Sequence, residues 1–580
     1  MTAIMQGNPV SRLGPRSSAL GFRREIILPT HKVNLDGLIR RENFESCAES
    51  ALGKEPLFKV EELAKGRLYE SVLRKPDFQR QTNNWTPEMI VDFVKSFLDD
   101  KLIPSIIIWH SKQTNNVFII DGAHRISALI AWVNDDYGDG PISRERIGDI
   151  TPAQVKFHKA TKKLMDDEVG DYARLYQIAL NPQGQDPEKV RRGKAITTSQ
   201  LSLQKVDGDA KIAEESFLKI NSNPAIIDKT ELALIRARRK PNAIAVRAII
   251  SRGSGQTQWT ANAQRSKEIG EAAKRAYDLI FGPIHEISSN SPDIPRAGQP
   301  YSQEAFQMVL DMVNIFNDVT PAMWQHTEKA KSRRGTAVDP LADDLDGTNT
   351  LKFINRIEDI GQLVADNDRG AFGFDPAVYY YGATGKVVPA ALLASLKFAQ
   401  EINRSKNTKN DFTSARKGFE EFLVRHKSFI NDLNSSKGSR TRPLESILAM
   451  YQIVLNAMID GTTSDAAIVQ LLSNDERLKE SLKVVAPAEE EDDAAASKGK
   501  KRFSKTAQNV AVIRDTLSAR ARCSICGSRL PPHARSKDHI VRVEDGGSGH
   551  SDNLQFTHPY CNSGYKESLN SKMSKTNAVK

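Results

Sequence analysis

The feature that most constrains this 580-residue chain is a pair of ligand half-sites near its C-terminal end. Cys523-Ser-Ile-Cys526 opens the stretch and His558-Pro-Tyr-Cys561 closes it. Together they can hold one tetrahedral zinc ion through three thiolates and an imidazole, but only if the chain between them folds back on itself. Cys523, Cys526, His558 and Cys561 are therefore read as structural zinc ligands, with His533 and His550 as alternative imidazoles. The enclosed segment carries Lys537-Asp538-His539-Ile540, Gly546-Gly547 and Asn553-Leu554-Gln555, and Asn562 follows the last ligand. Zinc staples alone do not require an acid-histidine pair flanked by two asparagines.

In this order, CxxC, DHI, GG, NLQ and a final half-site ending in CN, the segment resembles the McrA-like HNH (ββα-metal) nucleases. It departs from them in having His558 where the family more often has cysteine. The resemblance implies a fold that cuts DNA, with His539 as general base and Asp538 and Asn562 holding one Mg²⁺ or Mn²⁺ through hard oxygen donors. It also implies that Asn553 fixes the loop carrying the base, and that Arg535 or Lys566 contacts phosphate. A zinc ribbon that binds DNA without chemistry is the plainer reading of the cysteines, but it leaves Asp538, His539, Asn553 and Asn562 unexplained.

Charge points to the same end of the chain. The net charge is +10, and residues 498–580 hold sixteen Lys/Arg against six Asp/Glu, which is also +10. The remainder is near neutral, so attraction to a polyanion is concentrated at the C-terminal end. The fourth cysteine, Cys47, stands alone, which excludes a disulfide framework and fits a reducing, cytoplasmic setting. No apolar run reaches the roughly 20 residues that span a bilayer, and residues 1–24 lack a signal-peptide core, so no membrane partner is expected.

A second constellation lies near the N-terminus. Phe78-Gln79-Arg80 and Trp85 precede a helix opened by Thr86-Pro87-Glu88, whose apolar positions are Ile90, Val91, Phe93, Val94, Phe97 and Leu98. Two continuous apolar runs, Ile103 to Trp109 and Val117 to Ile120, read as buried strands. The second runs into Asp121-Gly122-Ala123-His124-Arg125 and a helix over Ile126 to Trp132. A glycine at a helix start lets backbone amides approach an anion, and an arginine beside it can fork onto phosphate. The plainer reading is a turn with a local cap.

This arrangement resembles the ParB/sulfiredoxin-like fold and, more narrowly, the GmrSD-type domain with its FQR…W…IPxI…DGQQR signature. Ala123 and His124 stand where that signature has its glutamine pair, and Phe217 to Ser222 with Glu231 resembles its later FxxiN and Glu elements. The resemblance implies a nucleoside triphosphate site built from Gln79, Arg80, Asp121, Gly122, His124, Arg125 and Asn221, with hydrolysis left open. Sulfinic-acid repair is excluded, because Ala123 replaces the reactive cysteine of sulfiredoxin.

The rest is organised around these two ends. Residues 255 to 480 read as helices, among them Pro389 to Ile402, Phe412 to Leu433 and Pro443 to Ile459, suited to a connector or to a homo-oligomer contact. Lys331 to Gly347, with Asp339, Asp343, Asp344 and Asp346, reads as a mobile acidic loop, and the charge blocks of Ala486 to Lys505 as a flexible tether. The expected architecture is α+β and multidomain. It comprises an extension over 1–50, a ParB/sulfiredoxin-like domain over 51–252, an α-helical middle over 253–485, a linker over 486–505 and an HNH domain with structural zinc over 506–580. The whole reads as a nucleotide-responsive DNA endonuclease resembling bacterial modification-dependent restriction and antiphage effectors. The competing reading is a ParB-like, nucleotide-gated DNA-binding regulator whose HNH module does not cut.

Overall fold

The computed structural model describes residues 33–42, 58–76, 79, 82, 85–147, 150, 152–221, 229–254, 259–260, 262–282, 296–297, 303–325, 330–331, 337–367, 370–435, 442–482 and 503–569. The N-terminal part is built on a mixed five-stranded sheet. Its strands are β1 (Arg40–Glu42), β2 (Leu73–Pro76), β3 (Ile106–His110), β4 (Val117–Asp121) and β5 (Leu203–Lys205), in the order β1-β2-β4-β3-β5. Only the β3-β4 hairpin is antiparallel; β1-β2, β2-β4 and β3-β5 are parallel.

The continuous apolar runs of β3 and β4 follow from burial on both faces. Ile106, Ile108, Val117 and Ile119 enter the larger core, while Trp109, Phe118 and Ile120 meet Ala213 and Phe217 on the other side. Helix α1 (Pro87–Leu98) covers the larger core with Ile90, Val91, Val94, Phe97 and Leu98. Its start is set as the sequence foretells: Thr86 Oγ1 accepts from the Met89 amide at 3.4 Å, and Pro87 occupies the first turn. Helix α2 (Ala123–Val133) follows β4 through Gly122 alone.

A second core begins at Leu234, upstream of residue 252, and gathers α3 (Pro241–Ile250), α4 (Ala263–Phe281), α5 (Gln303–Phe316), α6 (Thr348–Ala365), α7 (Pro389–Ile402), α8 (Lys406–Arg425) and α9 (Arg442–Ile459). Its centre is aromatic, with Phe374 stacked on Tyr379 at 4.2 Å and Phe398, Phe412, Phe419 and Tyr451 around them. The helix expected over Phe412 to Leu433 is instead two, α8 and Ser428–Asn434. The break falls at His426, whose ring packs on Phe422 and Phe429 and whose Nε2 meets Asp465 Oδ2 at 2.9 Å.

The acidic loop also differs from expectation where it is described. Asp344 is buried and accepts from the Thr350 amide at 2.7 Å and its hydroxyl at 2.6 Å, capping α6, while Asp343 pairs with Lys240 at 3.0 Å. These carboxylates are caps and ion-pair partners; residues 332–336 lie outside the described set. So does the expected linker up to residue 502. Beyond it, Ile513 and Tyr560 belong to the same apolar core as the helical middle, so the C-terminal module is seated on that middle. Among the described residues, no helix is long and apolar enough to cross a membrane.

Candidate functional site

The C-terminal module is a two-stranded antiparallel sheet, β6 (Ser536–His539) and β7 (Leu554–Thr557), followed by a short helical segment. Asp538 faces Gln555 across the ladder, and His539 faces Leu554. Because side chains alternate along a strand, these neighbours part company: Asp538 is buried and His539 exposed.

The four expected ligands converge, with their ligand atoms within 4.8 Å of one another. Cys523 and Cys526 sit on a tight turn in which the Gly527 amide bonds the Cys523 carbonyl at 2.9 Å and the Cys523 amide bonds that of Ser528 at 2.9 Å. Gly527 makes this possible at φ +71°. The imidazole of the set is that of His558, and not of His533 or His550. Its Nδ1 lies 3.5 Å from Cys526 Sγ and 3.9 Å from Cys561 Sγ, while its Nε2 meets the Arg529 carbonyl at 2.9 Å. A proton on Nε2 leaves the Nδ1 lone pair for a metal, the arrangement a Cys₃His zinc site needs. The thiols already compete for protons. Hydrogen bonds from Cys526 and Cys561 hold Cys523 far below its usual value, and contact with Cys523 and Cys526 pushes Cys561 well above it.

The catalytic candidates make a separate set of contacts. Asp538 accepts from Gln555 Nε2 at 2.7 Å and from Lys566 Nζ at 3.0 Å on each oxygen, and Lys566 also donates to the His539 carbonyl. Asn562 donates through Nδ2 to Ser536 Oγ at 2.9 Å and the Lys537 carbonyl at 3.0 Å; its Oδ1 takes no part in those bonds. Asn553 accepts from the Val541 amide at 2.7 Å and donates to the carbonyls of Val541 at 3.0 Å and Ser548 at 2.7 Å. These bonds brace the loop that leaves His539. Cys561–Tyr565 forms a π turn that joins the last residue of the ligand cluster to Asn562 and, one residue on, to Lys566. The sequence reading passed over Gln555 as a partner of Asp538, although a period-2 register pairs them once the hairpin is assumed.

The helical middle bonds to the C-terminal module around the ligand cluster. The Tyr560 amide bonds the Ala371 carbonyl at 3.0 Å and its hydroxyl bonds Asn410 at 2.9 Å. Arg520 pairs with Asp375 at 2.8 Å with both side chains essentially enclosed, and the Arg529 amide bonds Glu420 at 3.1 Å. Part of the basic excess is thus directed at the protein's own carboxylates rather than at a polyanion.

The N-terminal loop behaves differently. Gly122 caps α2 at φ +95°, where a Cβ would stand 2.4 Å from Ile106 Cδ1, so glycine is required there. The Arg125 guanidinium is engaged internally, by Asp121 and by the Pro104 carbonyl. His124 stacks on Trp85 with ring centroids 5.6 Å apart. Gln79 is buried, with Nε2 3.5 Å from the Ile120 carbonyl, which brings it beside Asp121; its Oε1 has no hydrogen-bond partner among the described residues. Arg80 and the side chain of Asn221 lie outside the described residues.

A network that the sequence did not announce holds Thr82 and the backbone of Gln79. Lys75 is fully enclosed and donates to Asp36 Oδ1 at 2.7 Å and Thr82 Oγ1 at 2.9 Å, while Arg41 pairs with Asp36 at 2.9 Å and donates to the Gln79 carbonyl. Burial alone would raise the Asp36 pKa, yet Arg41 and Lys75 hold it far below the usual carboxylate range. Burial pushes Lys75 down to about 8.

Residues 60–277 match the family model of the GmrSD restriction endonuclease N-terminal domain, and residues 523–567 match that of the HNH endonuclease. No curated protein and no solved structure gives a match. The convergent ligand set and the β6-β7 hairpin fall inside the second match, and the Gly122 loop inside the first. The chain therefore joins a GmrSD-type N-terminal domain to a C-terminal HNH endonuclease domain, and is a phosphodiester-hydrolysing enzyme of the restriction type.

Proposed function

We propose that the enzyme is a nucleotide-responsive DNA endonuclease acting on modified or foreign DNA, and that His539 is its general base. The observation that carries the chemistry is the pairing of an exposed His539 with a buried Asp538 whose two oxygens already hold a cation, the Lys566 ammonium. That ammonium marks a position where positive charge is stable. Asp538, joined by Asn562, would hold a divalent metal there, which when bound offsets the charge developing on the scissile phosphate. His539 accepts a proton from water as the water oxygen bonds to phosphorus and the bond to the leaving sugar oxygen breaks. Asn553 keeps the base loop in place throughout.

His539→Ala is expected to lower plasmid cleavage by about 10²-fold or more while zinc content and DNA affinity stay near wild type. Undiminished cleavage would remove His539 from the mechanism. The nucleotide arm rests on the Gly122 cap, Arg125 and the unpartnered Gln79 Oε1 beside it, within a ParB/sulfiredoxin-like reading of the sheet.

The Lys566 contact also favours a second reading, a module that binds DNA without cutting. Lys566→Ala separates the two. A nuclease should then need several-fold less Mg²⁺ for half-maximal cleavage, whereas a binding module stays inactive at every Mg²⁺ concentration.

A further inference from the structure

We propose that the helical middle completes the zinc centre of the nuclease: Arg416 and Glu420 hold the peptide that orients His558, so zinc is retained only while the nuclease is seated on the middle. This deepens the zinc reading of the four-ligand cluster and is independent of whether the protein cuts.

The contacts close a ring. His558 Nε2 meets the Arg529 carbonyl at 2.9 Å, and the amide of Arg529 donates to Glu420 Oε2 at 3.1 Å. Glu420 Oε1 accepts from Arg416 Nε at 2.7 Å, and the same guanidinium donates to the carbonyls of Phe372 at 2.6 Å and Gly373 at 2.9 Å. Gly373 returns to the start: a Cβ built there would lie 2.3 Å from Ala534 Cβ and 3.5 Å from His558 Cδ2. Arg416 and Glu420 are almost wholly enclosed, at 2% and 0% side-chain exposure. A partner that fixes the far nitrogen of a ligating histidine sets its orientation and its metal affinity. Here that partner is a peptide group, and what fixes the peptide lies about a hundred residues earlier in the chain.

Charge gives an independent argument. The enclosed layer holds Arg416, Arg520 and Arg529 against Glu420 and Asp375, one cation in excess. Arg529 Nη1 is buried with no hydrogen-bond partner among the described residues. A buried excess charge demands a counter-charge. Zinc with three thiolates and a neutral imidazole carries one net negative charge, the sign this layer lacks.

The test uses the full chain and reads zinc transfer to a chromophoric chelator, alongside zinc content and thermal melting. Arg416→Met and Glu420→Gln are expected to release zinc about tenfold faster or more, and Arg416→Lys to recover part of the loss. Arg425→Ala, which removes an exposed pair with Asp465 on the same helix, should release zinc as wild type does. Should the charge variants fail to fold, Gly373→Ala lifts the seat without changing any charge, and the same acceleration is expected. Wild-type release in folded Arg416→Met and Glu420→Gln, or in Gly373→Ala, would overturn the proposal, as would equal acceleration in Arg425→Ala. Because no DNA is present, this result stands apart from the cleavage assay of His539→Ala.

Discussion

At the C-terminal end, residues named by a motif converge on one another's ligand atoms; at the N-terminal loop, residues named by a motif satisfy each other and the backbone. The ligand atoms of Cys523, Cys526, His558 and Cys561 lie within 4.8 Å of one another, where a shared cation would fit. Asp121 and Arg125 already have one, because they form an ion pair and Arg125 also holds the Pro104 carbonyl. The difference teaches that a metal site is largely built before its ligand arrives. A phosphate site made with arginine can sit closed on itself, and the ligand must then compete with an internal carboxylate.

The largest effect that could break this contrast is on the zinc side. Cys523→Ser should cost the C-terminal module its fold, since structural zinc supplies on the order of 10 kcal/mol of folding free energy in small zinc modules. Loss of zinc together with loss of the module's protection from proteolysis is the expected result; full protection without zinc would show that seating on the helical middle suffices. Next in size is Asp36→Asn. Removing one partner of a buried ion pair leaves Lys75 and Arg41 uncompensated, at a cost of about 3–5 kcal/mol, measurable by denaturant unfolding of the N-terminal domain. The acid side follows from the same group. Its folded pKa lies below the unfolded one, so the stability it contributes is present above the ordinary carboxylate range and is lost as pH falls through and below it. The smallest structural effect, and the one that sharpens the contrast, is Arg125→Ala. It should change stability by about 1 kcal/mol yet weaken nucleoside triphosphate binding at least severalfold by calorimetry. Unchanged affinity would leave the Asp121-Arg125 pair as structure alone.

Much of the nuclease was legible because its chemistry needs rare residue types at short spacings. Cys523 to Cys526 and His558 to Cys561 fix two half-sites, and the strand alternation that buries Asp538 and exposes His539 follows from their adjacency. The two strands that precede Gly122 were legible for another reason: β-branched runs buried on both faces leave no polar alternation. What was illegible is long-range. Nothing near Arg416 or Glu420 in sequence names Arg529, and Asp36, Lys75 and Thr82 look like ordinary surface residues until the fold encloses them. The single helix expected over Phe412 to Leu433 failed at His426 because periodicity reports which side is apolar and not where a side chain finds a better partner outside the helix.

The π turn at Cys561–Tyr565 carries an evolutionary consequence. A π turn is an α-helix with one surplus residue held as a local bulge, so a one-codon deletion within it would restore the regular winding while the chain on either side kept its place. Cys561 and Lys566 would each stay on the side they occupy now, whereas a deletion in the α-helical stretch that follows would turn every later residue by about 100° around the helix axis. The π turn is therefore the point of this segment at which related chains can differ in length by one residue with the Lys566–Asp538 contact and the ligand cluster both retained.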